Sequence, residues 1–192
     1  PKNLYNINAK DIIFLGMLIQ RKGINDLLEA FKLIQSEIPQ DICLKLYGDD
    51  KNKNINELIV KKGLSDRVIY CGWLTNDKKA VVFKNCLLNI LPSYNEGLPM
   101  SILETMSYGI PNISTDIAAI PELIKDGENG ILIKPGNINE LAKSLSALIN
   151  DKNKLINLSS KAFATIIGNF SINTHLNKIY DLYEDLLGTY KS

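Results

Sequence analysis

The sequence has one histidine, three cysteines and no apolar run that approaches the ~18 residues of a membrane span. With a single histidine, His175, a Ser-His-Asp or Cys-His catalytic site is improbable. The cysteines stand singly in apolar stretches, without the C-x-x-C spacing of a zinc or redox site. This usage predicts buried free thiols in a reducing compartment, at Cys43, Cys71 and Cys86.

Excess charge of either sign is missing too. The net charge is +1 and the basic residues are scattered, so electrostatics favour neither nucleic acid nor a membrane surface as partner. Residues 1–11 are polar and lack the apolar centre of a signal peptide, so we expect a cytoplasmic protein. The chain begins at Pro1 rather than Met, which indicates a piece of a longer protein.

Short apolar runs alternate with longer amphipathic ones along the chain, a pattern typical of βαβ units. It predicts a single Rossmann-like α/β domain over 1–192, a three-layer α/β/α sandwich with a parallel sheet of about six strands. The predicted strands are 11–17, 41–48, 67–72, 86–93, 110–115 and 130–135. The predicted helices are 24–37, 52–63, 75–85, 99–109, 138–151, 152–167 and 171–190, with a turn or brief helix at 118–127.

Parallel sheets bind ligands at the carboxyl ends of their strands, so the loops there are where a site is expected. No G-x-G-x-x-G and no Walker A lysine follows the first strand, which disfavours an ordinary dinucleotide fold and a P-loop NTPase. Gly16 ends that strand, and Arg21 and Lys22 precede the next helix. Two cations at a helix start oppose the helix dipole unless they share an anion with it. A solvated pair of cations is the alternative.

The loop after the fourth strand reads NEGLPMSILE and continues into a helix. Pro99 suits the first helical position, where its missing N–H costs nothing. The N–H groups of Gly97, Leu98, Met100 and Ser101 are then available to cradle a phosphate. The stretch therefore favours a phosphate site at the start of the helix.

Two glutamates flank that phosphate site. Glu104, in the second turn of the helix, can accept a bidentate hydrogen bond from a diol such as a ribose. Glu96, in the loop, faces whatever is attached beyond the phosphates. The spacing suits a nucleotide with a group on its diphosphate. The alternative is a solvated loop glutamate and an early-helix glutamate favoured by the dipole.

Two further loops carry weaker signals. In CGWL, after the third strand, the backbone from Gly72 to Leu74 could read a base edge, although for Trp73 itself we favour a core aromatic. Asp49 and Asp50 after the second strand could hold a metal, but adjacent loop carboxylates are more often solvated or capping.

Taken together, these loops resemble the C-terminal domain of retaining GT-B glycosyltransferases of the family 4, or group 1, type. The matching segments are FLGMLIQRKGINDLLEAF, DRVIYCGWL and LPSYNEGLPMSILETMSYGIPNISTDIAAIPELIKDGENGILIKPGN. They run along nearly the whole chain in the family's order. The resemblance makes this chain one half of a GT-B architecture, with the N-terminal acceptor domain absent.

The resemblance also implies roles for individual residues. Lys22, with Arg21 beside it, binds the diphosphate, and Glu96 contacts the transferred sugar. Glu104 holds the ribose hydroxyls. The backbone of Gly16 and of the loop around Gly97, together with the turn that meets the base, completes the donor site. The remaining positions implied for this site are Gly72, Trp73, Leu74, Leu98, Pro99 and Met100. No metal and no other cofactor is required, because cations and a helix start neutralise the leaving diphosphate.

Three departures from the family pattern stand out. Met17 occupies the position where the family usually has a second diphosphate cation, and our hypothesis is that Arg21 compensates or that the leaving group is held more weakly. Ala118 and Ala119 replace a glycine pair, and Asp50 replaces a second glycine. These replacements stiffen their loops.

The resemblance further implies that the helix 171–190 crosses back to the missing domain. Its apolar stripe would then be partly exposed in this chain, and the alternative is that it packs on the domain's own sheet. The stripe consists of Leu176, Ile179, Tyr180, Tyr183, Leu186 and Leu187.

The function implied is retaining, hexosyltransferase-type transfer of a sugar from a UDP- or GDP-linked donor. The acceptor would be a glycan or a lipid-linked precursor of a bacterial surface polysaccharide, with the full-length protein in the cytoplasm or peripheral to the inner face of the membrane. Alone, the fragment should bind nucleotide weakly and catalyse little. One alternative is a non-catalytic nucleotide-binding or interaction module, which Met17 favours. The other is a sugar-nucleotide epimerase, but those enzymes rely on additional histidines and acidic residues, and this sequence has one histidine.

Overall fold

The structure is a computed structural model that describes residues 2–51 and 53–189. Six parallel strands form one sheet in the order β3-β2-β1-β4-β5-β6. The strands are β1 Asp11–Leu15, β2 Cys43–Tyr47, β3 Val68–Gly72, β4 Cys86–Leu91, β5 Asn112–Thr115 and β6 Ile131–Ile133. The strand order reverses between β1 and β4, which is where open parallel sheets bind their ligands.

Eight α-helices connect and cover these strands in the described part of the chain. They are α1 Ile24–Ile34, α2 Ile55–Lys61, α3 Asn76–Lys84, α4 Met100–Ser107, α5 Ile120–Leu123, α6 Ile138–Ile149, α7 Lys152–Asn169 and α8 Ile172–Thr189. A 3₁₀ turn, Gln20–Lys22, precedes α1. The Rossmann-like α/β fold predicted from the sequence is confirmed, strand by strand and helix by helix.

The differences from the predicted boundaries have local causes. β4 ends at Leu91 rather than at residue 93, because Pro92 has no N–H to donate to a neighbouring strand. Pro99 is the N-cap residue of α4, with ψ at 111°, so the expectation that it takes the first helical position is wrong. Helical geometry begins one residue later, at Met100.

The core lies on both faces of the sheet. Ile12 and Phe14 of β1 point into the larger cluster, which includes Phe31 of α1. The alternate residue Ile13 points into a smaller cluster on the other face, with Phe83 of α3. Alternation along β1 thus separates two cores, as expected for a strand covered on both sides.

The three cysteines do not share one environment. Cys86 is fully buried, and burial raises the pKa of its thiol. Cys43 is half-buried and Cys71 is exposed, so the prediction of buried thiols is wrong for Cys71. The reason is topological, since Cys71 lies on β3, one of the two edge strands of the sheet.

A buried polar network attaches α4 to the sheet. Asn89 of β4 donates to the side-chain oxygen of Asn112 on β5, at 2.6 Å. The hydroxyl of Thr105 on α4 lies 3.0 Å from the same oxygen and 2.8 Å from the carbonyl oxygen of Ser101, so its single proton is shared between these acceptors. All three side chains are fully buried, so breaking these bonds would leave polar groups without water. The network fixes the helix that carries Glu104.

Helix α8 stands apart from the sheet. It contacts α7, and five of its six stripe residues are exposed, with Ile179 half-buried. The alternative that the stripe packs on the domain's own sheet is therefore wrong. The predicted helix extended to residue 190, which lies outside the described residues. In the described part of the chain, no helix combines the length and hydropathy that crossing a membrane requires.

Gly23 is a point of close backbone contact between α1 and the loop after β4. Its φ of +74° is left-handed, and a Cβ there would lie 2.0 Å from the carbonyl oxygen of Pro92. Gly63, at the end of α2, has almost the same φ, +71°, but open space around the position of a Cβ. Substitutions at the two glycines therefore distinguish the cost of a left-handed backbone, present at both, from the cost of a steric clash, present only at Gly23.

We expect Gly63→Ala to lower the free energy of unfolding by about 1–2 kcal/mol, the cost of a left-handed alanine. Gly23→Ala should cost at least about 3 kcal/mol, because the Pro92 carbonyl must move as well. Urea denaturation followed by circular dichroism measures both. Equal losses for the two variants would contradict the close contact at Gly23.

Candidate functional site

A continuous cleft runs along the carboxyl edge of the sheet, at the reversal between β1 and β4. It consists of two adjoining cavities of about 260 and 290 Å³. Both are lined by Leu15, Gly16, Met17, Met100 and Ser101. We call them the Glu104 cavity and the Glu96 cavity, after the carboxylate that each contains. The Glu104 cavity is completed by Gly48, Trp73, Leu74 and Lys79, and the Glu96 cavity by Lys22, Leu91, Leu98 and Pro99.

Backbone contacts between three loops form the floor of the Glu104 cavity. A Cβ on Gly48 would lie 1.8 Å from the carbonyl oxygen of Gly16, so only glycine fits there. The N–H of Gly48 donates to the carbonyl of Gly72 at 2.9 Å. The ends of β1, β2 and β3 are thereby held together without side chains between them.

The Glu96 cavity contains a buried ion pair. Lys22 Nζ lies 2.6 Å from Glu96 Oε1, and the two side chains are 16% and 6% exposed. The same carboxylate oxygen accepts a hydrogen bond from the hydroxyl of Ser93 at 2.7 Å. Ser93 is fully buried. The structure thus brings together Lys22 and Glu96, which the sequence predicted for one site, and adds Ser93, which it did not.

The loop that carries Glu96 is also attached to the start of α1. The N–H of Tyr94 donates to the carbonyl of Arg21 at 2.9 Å, and its hydroxyl donates to Asp26 Oδ2 at 2.5 Å. The hydrogen bond to Asp26 raises the pKa of Tyr94, so the phenol stays protonated and remains a donor at neutral pH. These contacts fix Glu96 relative to Lys22.

Arg21 differs from its neighbour Lys22. Its side chain is exposed and lines neither cavity. Met17, in contrast, lines both cavities. The role given to Arg21, as a cation that compensates for Met17, stays a prediction.

The Glu104 cavity contains the second ion pair of the cleft. Lys79 Nζ of α3 lies 2.7 Å from Glu104 Oε1, and the side chains are 23% and 32% exposed. No sequence pattern points to Lys79, because Lys78 and Lys84 occupy the same short helix and nothing in their spacing distinguishes the three lysines. Lys79 is identified as a residue of the cleft only by the structure, in which α3 lies close enough to α4 for Lys79 to contact Glu104.

Trp73 lies at the mouth of the Glu104 cavity and is 71% exposed. The alternative that it is a core aromatic is therefore wrong. An exposed indole at the edge of a cavity offers a flat apolar surface on which a planar ring can stack. Its neighbour Leu74 is buried and lines the same cavity.

The start of α4 faces the region that the two cavities share. The N–H groups of Ile102 and Leu103 bond back to the carbonyl of Pro99. Those of Met100 and Ser101, ahead of them, belong to the first turn, where helices have no internal partner to offer. Leu98, Pro99 and Met100 line the cleft, while Gly97 lies in the same loop outside the lining. This geometry suits an anion.

Asp50 has a structural role in the loop after β2. Its Oδ2 accepts a hydrogen bond from the N–H of Ile55 at 2.9 Å, at the start of α2. Within residues 2–51 and 53–189, no three His, Cys, Asp or Glu side chains are grouped as metal ligands would be. The capping alternative is thus confirmed for Asp50, and independence from metal stays a prediction.

Known proteins match this chain in sequence. An uncharacterized glycosyltransferase of Haemophilus influenzae is 30% identical over 165 residues, which cover 84% of this chain and 46% of that protein. The lipopolysaccharide core biosynthesis glycosyltransferase LpsE of Rhizobium meliloti is 26% identical over 95% of this chain and 51% of its own length. The chain thus spans about half the length of the curated relatives that it matches.

Solved structures match the fold. The C-terminal domain of the group 1 glycosyl transferase LpcC from Francisella tularensis superposes with a TM-score of 0.76 at 22% identity, over 84% of this chain and 86% of that one. HepE of Anabaena, crystallised in complex with UDP, gives a TM-score of 0.82 at 25% identity, over 93% of this chain and 49% of that one. The fold is therefore that of a GT-B glycosyltransferase domain.

The profile of the family described as glycosyl transferases group 1 matches residues 1–165, a range that includes every residue of the cleft. By this match, the chain belongs to the group 1 glycosyltransferase family.

Proposed function

We propose that this chain is the donor-binding half of a retaining glycosyltransferase. It binds a nucleotide diphosphate sugar, UDP- or GDP-linked, whose sugar passes to a glycan or lipid-linked acceptor of a bacterial surface polysaccharide. The observation that carries the proposal is the cleft itself. One groove contains Lys22, Glu96 and Glu104 together with the start of α4.

The donor would lie along the cleft in a single direction. The base stacks near Trp73, and Glu104 accepts hydrogen bonds from the ribose hydroxyls. The diphosphate crosses the region shared by the two cavities, at the first turn of α4. The sugar then reaches Glu96. The complex of HepE with UDP supports this use of the fold.

Chemistry requires stabilisation of the leaving diphosphate. The bond from the anomeric carbon to the diphosphate oxygen breaks, a bond to the acceptor oxygen forms, and the acceptor's proton leaves. Lys22 and the N–H groups at the start of α4 lie where the negative charge grows. Arg21 adds a second cation nearby. These groups supply the role that a metal ion has in other transferases, so we expect no metal requirement.

A second domain would complete the enzyme. The relatives are about twice as long as this chain, and the exposed stripe of α8 offers an apolar surface for that domain to cover. That domain would bind the acceptor. We place the reaction in the cytoplasm, at the inner face of the membrane where the acceptor is lipid-linked.

The α8 assignment predicts a stability result. The double variant Leu176→Asn, Tyr183→Asn should change the free energy of unfolding of this chain by less than about 0.5 kcal/mol, since both side chains are exposed. Leu158→Ala, at a fully buried position of α7, should cost about 2–5 kcal/mol. Urea denaturation measures both. A large loss from the α8 variant would mean that the stripe packs within this domain.

Donor binding is tested by calorimetric titration of this chain with UDP, GDP and ADP, with and without Mg²⁺. We expect one diphosphate to bind independently of metal. Glu104→Ala should weaken that binding by about tenfold or more, because hydrogen bonds to a charged acceptor are worth ~1.5–3 kcal/mol.

Glu57→Ala is the matched control, since it removes the same charge from an exposed position of α2. Its affinity should equal that of the unchanged chain. Failure of the folded chain to bind any of the three nucleotides would count against the donor site.

Transfer is tested on a longer protein that joins this chain to the rest of its enzyme. With a labelled nucleotide sugar and acceptor, we expect a glycoside whose anomeric configuration, read by NMR, matches that of the donor. Glu96→Gln should lower kcat by roughly 10²-fold, because a contact to the transferred sugar acts on the transition state. An epimerised nucleotide sugar would identify an epimerase, and no product at all would favour a non-catalytic module.

A further inference from the structure

The four charged side chains that line the cleft form two internal ion pairs. Lys22 is bonded to Glu96, and Lys79 is bonded to Glu104. Their charges sum to zero, so the side chains that line the cleft offer a phosphate no net positive charge. A free phosphate therefore competes with a carboxylate for each of the two ammonium groups.

The two pairs differ in how readily they exchange partners. Glu96 is almost fully enclosed, and Ser93 holds the same oxygen that Lys22 contacts. The Lys79–Glu104 pair is more exposed on both sides. A part-exposed pair of this kind is worth up to about 1 kcal/mol, an amount that one new hydrogen bond can replace.

Lys79 is also placed to reach a phosphate once it leaves Glu104. It lines the Glu104 cavity together with Met100 and Ser101, the residues of the α4 start. A lysine ammonium sits on a flexible four-carbon stem and carries three donors. It can turn from the carboxylate toward an anion in the same cavity without any movement of α3.

We propose that Lys79 is a specificity-determining residue that makes the cleft select nucleotides over free phosphates. Glu104 holds the Lys79 ammonium away from free phosphates. A nucleotide supplies ribose hydroxyls that take the place of Lys79 on the carboxylate, and the released ammonium then binds the diphosphate. The proposal rests on the proposed donor site, and it couples recognition of the ribose to recognition of the phosphates.

Glu104→Gln tests the coupling, because it removes the charge and keeps the shape of the side chain. With pyrophosphate as the probe, the variant should bind about threefold to fivefold more tightly than the unchanged chain, the equivalent of one part-exposed ion pair. With UDP or GDP it should bind about tenfold more weakly, because the ribose loses a charged acceptor. Opposite signs for the two ligands are the expected result.

Lys79→Met gives the complementary test. It keeps the length of the stem and removes the charge, so UDP should bind about tenfold more weakly while uridine, which has no phosphate, binds no more weakly than before. Lys78→Met is the matched control on the same helix, at an exposed position outside the cleft lining. It should leave all affinities unchanged. Circular dichroism and thermal unfolding establish that each variant is folded.

Each outcome of these titrations either supports or overturns the role proposed for Lys79. Pyrophosphate binding that is unchanged, weakened or undetectable in folded Glu104→Gln overturns the proposal, as does equal loss of UDP and uridine binding in Lys79→Met. A chain that binds neither UDP nor GDP contradicts the donor site instead. The pyrophosphate titration then still decides whether Glu104 competes with phosphate for Lys79.

Discussion

The structure depends on close backbone contact between loops at the carboxyl edge of the sheet. Gly48 touches the carbonyl of Gly16, and Gly23 touches that of Pro92. A third contact, from the N–H of Tyr94 to the carbonyl of Arg21, adds a hydrogen bond. With no side chains between them, the backbones of these loops pack directly against one another. The positions of Lys22 and Glu96 follow from these contacts, because each residue lies beside one of them.

The charged side chains that line the cleft pair with one another. Four ionic side chains near one another and partly out of water would repel or cost desolvation energy if they stood alone. Pairing each lysine with a glutamate offsets part of that cost, and a ligand with hydroxyls and phosphates on one molecule can replace both partners at once. The same pairing weakens the attraction for ligands that offer only one of the two. Selectivity and stability thus come from the same contacts.

Much of the fold and part of the candidate site were predictable from the sequence, and the features that were not have physical reasons. The alternation of apolar and amphipathic runs predicted every strand and helix, because buried strands and packed helices must carry those patterns. The NEGLPMSILE loop predicted Glu96, Glu104 and the helix start. Lys79 was missed because its partner Glu104 lies on another helix and no spacing rule links the two. Ser93 was missed although its partner Glu96 lies only three residues along the same loop, because a serine in a loop carries no distinctive pattern. The exposure of Trp73 and Cys71 depended on which strand became the edge, a property of the whole sheet.

The cleft accounts for the proposed donor binding better than for the proposed transfer. Trp73, Leu98 and Met100 are exposed around it, so one wall is open to water. Charges in contact with water are screened, and an ammonium beside a leaving diphosphate stabilises it far less there than in a closed site. The proposed transfer would therefore require a second surface that covers the cleft and excludes water. The exposed stripe of α8 lies on the same chain as that open wall, so a single partner domain could cover both. The free energy of its apolar contacts with α8 would then help to hold the site closed.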